Sequence, residues 1–79
     1  MNTRSISVIA CEISNDWKKV YFGAKPYLDA MFCLDKITDK YGFDDADSII
    51  RYFLCNAGTW KGDTAKRIKK ELKQMIGMK

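Results

Sequence analysis

Chemistry near neutral pH needs a group that exchanges protons or attacks as a nucleophile, and this chain holds few of them. Among its 79 residues there is no histidine, which removes the usual proton shuttle and the commonest metal ligand. The three cysteines, Cys11, Cys33 and Cys55, are odd in number and widely separated. That pattern fits neither a disulfide framework nor zinc-ligand spacing, so the thiols read as small hydrophobes buried in a core. Asp44, Asp45 and Asp47 crowd three acids into four residues, a density that suits a cation. They lack the spacing and the glycine and glutamate positions of an EF-hand, and they fit better at the start of a helix, where free amides need acceptors. Neither common glycine-rich phosphate loop is present. The residues point away from an enzyme and imply no cofactor or metal.

Charge is the next chemical signal. Residues 1–58 carry seven Lys or Arg against eight Asp or Glu, whereas residues 59–79 carry seven against two, so the net charge of +4 belongs to the tail. Lys66, Lys69, Lys70 and Lys73 fall within an arc of about 100° if this stretch is helical. Such a row is usually a solvated helix face. The sharper reading is contact with nucleic acid, with Trp60 as a stacking platform. The turn from Asn56 to Gly62 is longer than that of a helix-turn-helix, and the helix has few side chains suited to bases, so the contact would be to the phosphate backbone.

The aromatic inventory points elsewhere. Trp17, Tyr21, Phe22, Tyr27, Tyr41, Tyr52 and Trp60 are many large rings for so short a chain, and only some can be central. Tyrosine, tryptophan and arginine are the types enriched where proteins bind one another. Trp60 stands between Gly58 and Gly62, on a loop free to bend, and is either a plug over the core or a contact residue. The contact reading groups Trp60, Lys61 and Arg67 with Arg51 and Tyr52 as a partner-binding surface.

The elements that must position these residues follow from hydrophobic spacing. Ile6, Ile9, Ala10, Ile13 and Trp17 predict a first helix from Thr3 or Ser5 to about Lys19. The run Val20-Tyr21-Phe22, ending at Gly23, is expected to turn the chain while covering the core. Pro26 suits the first turn of a second helix. Tyr27, Ala30, Met31, Leu34, Ile37 and Tyr41 extend that helix to a stop at Gly42, and Leu28, Phe32 and Cys33 make it central. Asp44 or Asp45 opens a third helix with its face at Ala46, Ile49, Ile50, Phe53, Leu54 and Ala57. A fourth, capped by Asp63 or Thr64, buries Ala65, Ile68, Leu72, Met75 and Ile76. The expectation is one all-α domain over residues 1–79, a small bundle of about four short helices. A chain of this length has a net stability of roughly 4–12 kcal/mol, so partners or self-association matter to it. No apolar run approaches the roughly 20 residues that span a bilayer, and no signal peptide is evident, so a cytoplasmic location is expected.

Three segments carry a resemblance: Asp16-Trp17-Lys18-Lys19-Val20-Tyr21-Phe22-Gly23-Ala24-Lys25-Pro26-Tyr27-Leu28, Ser48-Ile49-Ile50-Arg51-Tyr52-Phe53-Leu54-Cys55-Asn56-Ala57, and Thr59-Trp60-Lys61-Gly62 with Ala65-Lys66-Arg67-Ile68-Lys69-Lys70-Glu71-Leu72. Over nearly its full length the chain resembles small uncharacterised proteins encoded by phages and prophages of Gram-positive bacteria. Cys33 and Cys55 stand where small polar residues are expected in such relatives. The resemblance implies an accessory phage protein in the host cytoplasm, acting without catalysis. A recurrent task of such proteins is to occlude a host enzyme or a defence complex, as an anti-CRISPR protein does. It implies a host or phage protein as partner, with nucleic acid as the alternative and a homo-oligomer as a further possibility.

Overall fold

The computed structural model describes residues 4–77. Four helices form, α1 (Ile6–Asp16), α2 (Lys25–Met31), α3 (Ala46–Cys55) and α4 (Asp63–Met75), with a hairpin of two-residue strands, β1 (Lys40–Tyr41) and β2 (Asp44–Asp45), between α2 and α3. The fold is therefore mostly helical and not purely so, which corrects the all-α expectation. α2 lies against α1 and α3, and α4 lies against α1 and α3 as well. The side chains that meet are those of the helical stripes: Ile6, Ile9, Ile13, Leu28, Met31, Ile50, Phe53, Ile68 and Leu72 are all buried.

The second helix is where periodicity misleads. α2 ends at Met31, ten residues short of Tyr41, although Leu34 is still buried and Ile37 half-buried. The backbone beyond it is put to another use. The first amides of α1, on Ile6 and Ser7, donate to the carbonyls of Asp35 and Leu34 at 2.9 Å each. Ser5 holds the N-cap position without a side-chain cap, its hydroxyl bonding that of Ser7 instead. Thr3, the alternative start, lies outside the described residues. Asp39 then accepts from the amides of Asp35 and Lys36 at 3.0 Å each, a local arrangement that competes with helix. These two amides hold the Asp39 carboxyl below its usual range.

Gly42 is a hairpin residue, not a helix stop. Tyr41 pairs with Asp44 and Lys40 with Asp45, leaving Gly42 and Phe43 as a two-residue turn. Gly42 has φ 65°, and no non-glycine residue among those described has positive φ, the pattern of a type II′ turn, which matches strand twist. Asp44 and Asp45 are thus strand residues. Asp45 still occupies the N-cap of α3, but its carboxylate makes no cap hydrogen bond, and the amide of Ala46 donates to Asp39 instead. At α4 the N-cap is Gly62 rather than Asp63 or Thr64.

Trp60 closes the core. Its ring, 2% exposed, stacks on Trp17 at 5.7 Å and 11°, and Phe53 meets both indoles edge-on at 6.2 and 6.4 Å. Its Nε1 donates to Asp16 Oδ2 at 2.8 Å. An acid in the last turn of α1 opposes the helix dipole, so Asp16 serves the indole at some cost to its own helix. Replacing Trp60 by alanine removes the stack and the hydrogen bond together, at about 3–5 kcal/mol. That is comparable with the whole stability of a chain this size. Thermal denaturation followed by circular dichroism is expected to show W60A partly unfolded at room temperature and W60F intermediate; a W60A melting curve superimposing on wild type would contradict the assignment.

Candidate functional site

Because the apolar stripe of α3 runs through Ile49, Ile50, Phe53 and Ala57, Tyr52 and Cys55 are left facing out. Tyr52 is 53% exposed, and its ring lies 5.5 Å from that of Tyr27 on α2. Beside the end of α3 runs the loop that joins α1 to α2. It carries Tyr21 and Phe22, ring centroids 4.8 Å apart, with Phe22 81% exposed. Gly23 permits this approach, since a Cβ there would stand 2.6 Å from the Tyr21 ring and 2.9 Å from Asn56 Oδ1. The Asn56 amide in turn donates to the Tyr52 carbonyl at 2.8 Å. Three rings, Tyr21, Phe22 and Tyr52, are thereby held at the surface around the end of α3, with Tyr27 half-buried beneath Tyr52.

Two shallow hollows extend this face. One, of about 290 Å³, is lined by Tyr21, Cys55, Asn56, Gly58 and Thr59. The other, of about 280 Å³, is lined by Gly58, Trp60, Lys61, Gly62, Ala65, Lys66 and Lys69. Gly58 borders both, so the tyrosine side and the lysine side are neighbours across the loop between α3 and α4. Lys69 is half-buried there: its Nζ donates to the Trp60 carbonyl at 2.6 Å and lies 5.8 Å from the indole centroid. Burial, then the like charges of Lys73 and Lys61, push its pKa below the usual lysine value. Lys61, Lys66, Lys70 and Lys73 are exposed, and none forms an ion pair with an acid among the described residues.

The chain matches no family model, no curated protein and no solved structure. The geometry alone distributes the residues singled out by sequence. Trp60 is a core plug, which removes its ring from any contact surface and from any role as a stacking platform. Lys69 is tied to the backbone and leaves the outer lysine row to Lys66, Lys70 and Lys73. Arg51 pairs with Asp47 one turn earlier, at 3.3 Å, on the exposed side of α3. Arg67 is turned towards α1, where it pairs with Glu12. Lys61 stays at the rim of the second hollow. With Trp60 buried and Arg67 paired on α1, the group of Arg51, Tyr52, Trp60, Lys61 and Arg67 loses two of its members.

Three aromatic residues were undervalued by sequence reasoning. Tyr21 and Phe22 turn outward rather than covering the core, and Phe43 is fully exposed at the hairpin tip. Phe43 was hidden because Ala46 and Ile50 follow it at helical spacing, which reads as the entrance to α3. All three thiols are exposed, correcting the expectation of buried cysteines, because Cys11 and Cys55 lie off their helices' apolar stripes and Cys33 follows the end of α2.

Arg67 belongs to a chain of alternating charge. Arg4 donates through Nε and Nη2 to both oxygens of Glu71 at 2.9 and 2.6 Å and through Nη1 to Glu12 at 2.7 Å, and Arg67 donates to the other Glu12 oxygen. The bidentate geometry and shared partners set this network apart from isolated surface pairs. Hydrogen bonds from Arg4 and then Arg67 hold the Glu12 carboxyl below its usual range. A depressed folded-state pKa contributes stability that is complete above the unfolded value, about 4.3, and is lost as pH falls through the folded one. The melting temperature is expected to decline below about pH 4.3, with part of that decline absent in E12Q; equal acid-side slopes in the two proteins would contradict the network.

Proposed function

We propose that the chain is a non-catalytic phage or prophage accessory protein, a protein-binding module that inhibits a host enzyme or defence complex by covering one of its working surfaces. The observation that carries this reading is the group of three exposed rings, Tyr21, Phe22 and Tyr52, with the half-buried Tyr27 behind Tyr52, around the end of α3. Phe22 and Tyr52 expose large apolar area that the fold does not need, and solvent exposure of such area is unfavourable unless a partner covers it. Rings with two side-chain torsions give up little entropy when they become a contact. Arg51, beside Tyr52, and Lys61, across Gly58, supply polar and cationic groups at the margins. A partner held this way loses access to its substrate, effector or subunit, and no bond need be made or broken.

A second reading is favoured by one observation, that Lys61, Lys66, Lys70 and Lys73 are exposed and have no acid partner among the described residues. Under it the chain contacts the phosphate backbone of a nucleic acid through α4, without base reading. One experiment separates the two. The chain, immobilised, is exposed to host lysate with and without nuclease, beside F22A/Y52A and K66E/K70E. Protein inhibition is expected to give a nuclease-resistant partner whose recovery falls at least about tenfold in F22A/Y52A. Recovery that vanishes with nuclease and depends on K66E/K70E alone would replace this reading with the nucleic-acid one.

A further inference from the structure

Phe43 is an unexplained expense of the fold. It stands at the second central position of the hairpin turn, where a polar residue would serve the backbone equally well, and its side chain is fully exposed. The tip is nevertheless firmly presented. The strand pairing on either side, the Lys40–Asp45 ion pair at 3.6 Å and the hydrogen bond from the Ala46 amide to the Asp39 carbonyl at 3.0 Å fix its path. A ring on a pre-ordered turn loses little freedom on docking.

The chemistry around the ring states what would receive it. Residues 35–47 hold five aspartates against two lysines, and Asp44 and Asp45 follow the ring directly. The matching receptor is an apolar floor with a cationic rim. That description fits the 280 Å³ hollow beside Trp60 on the same chain, with Gly58, Gly62 and Ala65 below and Lys61, Lys66 and Lys69 around it. Lys61, Lys66 and the Lys69 ammonium that is held on the Trp60 carbonyl all line this hollow, so an anion brought near it is favoured. A ring set among these ammonium groups gains cation–π attraction, and Asp44, which has no ion-pair partner among the described residues, meets a lysine, with Asp45, already beside Lys40, adding to the negative field.

We propose that the Phe43-Asp44-Asp45 tip of one copy docks into the lysine-rimmed hollow of a second copy, joining copies head to tail. Full exposure of Phe43 excludes docking within one chain. Each joined copy keeps one free tip and one free hollow, so association is open-ended unless a ring closes. The contact area is small and the association correspondingly weak. It uses neither Phe22 nor Tyr52 and does not depend on the inhibitor reading.

Sedimentation velocity from micromolar to millimolar concentration, with D44K/D45K, K61E/K66E, F43S and F22A/Y52A beside wild type, tests this. Wild type and F22A/Y52A are expected to gain mass with concentration and to lose it as salt rises. D44K/D45K, K61E/K66E and F43S are expected to remain monomers. D44K/D45K keeps its hollow and K61E/K66E keeps its tip, and the reversed tip also suits the reversed hollow, so the two, each a monomer alone, are expected to associate when mixed in equal amounts. A wild type monomeric throughout would overturn the proposal. So would an F43S variant that associates as wild type does, or a mixture of the two charge-reversed variants that fails to pair.

Discussion

Trp60 is the constraint from which most of this molecule follows. Its indole is the point where the end of α1, the middle of α3 and the loop into α4 meet, through the Trp17 stack, the Phe53 edge and the Asp16 hydrogen bond. Aromatic pairs of this kind contribute about 0.5–1.5 kcal/mol each beyond the area they bury. Their larger effect here is positional. With the ring inside, the Trp60 carbonyl is left to receive Lys69, Lys61 is carried to the rim of a hollow, and Gly58 becomes the strip of surface between the tyrosine and lysine sides.

The rest of the fold adds ties across long sequence separations. The opening amides of α1 are satisfied by the carbonyls of Asp35 and Leu34, in the segment that follows α2. Arg4 and Arg67 join α1 to α4 through Glu12 and Glu71. A small chain cannot bury a large fraction of its surface, so such ties carry weight that a bigger core would supply by itself. Against that need, large rings at positions 22, 43 and 52 remain in water. They are the places where the sequence departs from what stability alone would select, and surface recognition is the ordinary reason for such departures.

How much of this was legible in the sequence varies by element. α1, α3 and α4 were, because their apolar residues repeat at helical spacing and end at turn residues. The 32–41 stretch was not. Leu34 and Ile37 do bury, which preserves the helical rhythm in the sequence, but they do so from a segment whose carbonyls cap α1 and whose amides Asp39 takes. Side-chain periodicity records which residues go inside and says nothing of where backbone hydrogen bonds go. The hairpin was hidden by the same cause, since Gly42 fits a helix end and a II′ turn equally well. The surface was harder still. Tryptophan, lysine, arginine and tyrosine were grouped by residue type, whereas Asp47, Glu12 and Tyr27 decide where Arg51, Arg67 and Tyr52 point.

Placing the indole of Trp60 inside is thus the step on which the path of the loop between α3 and α4 and the lysine-rimmed hollow rest. The most direct measurement is hydrogen exchange of its Nε1–H, followed by nuclear magnetic resonance under native conditions. A ring buried and bonded to Asp16 is expected to exchange only as slowly as the most protected amides of α1 and α3, because both then open through unfolding. Exchange of that indole at the rate of a free tryptophan, while the helical amides stay protected, would mean that the loop lies open in solution and that the surface described above is not the one a partner meets.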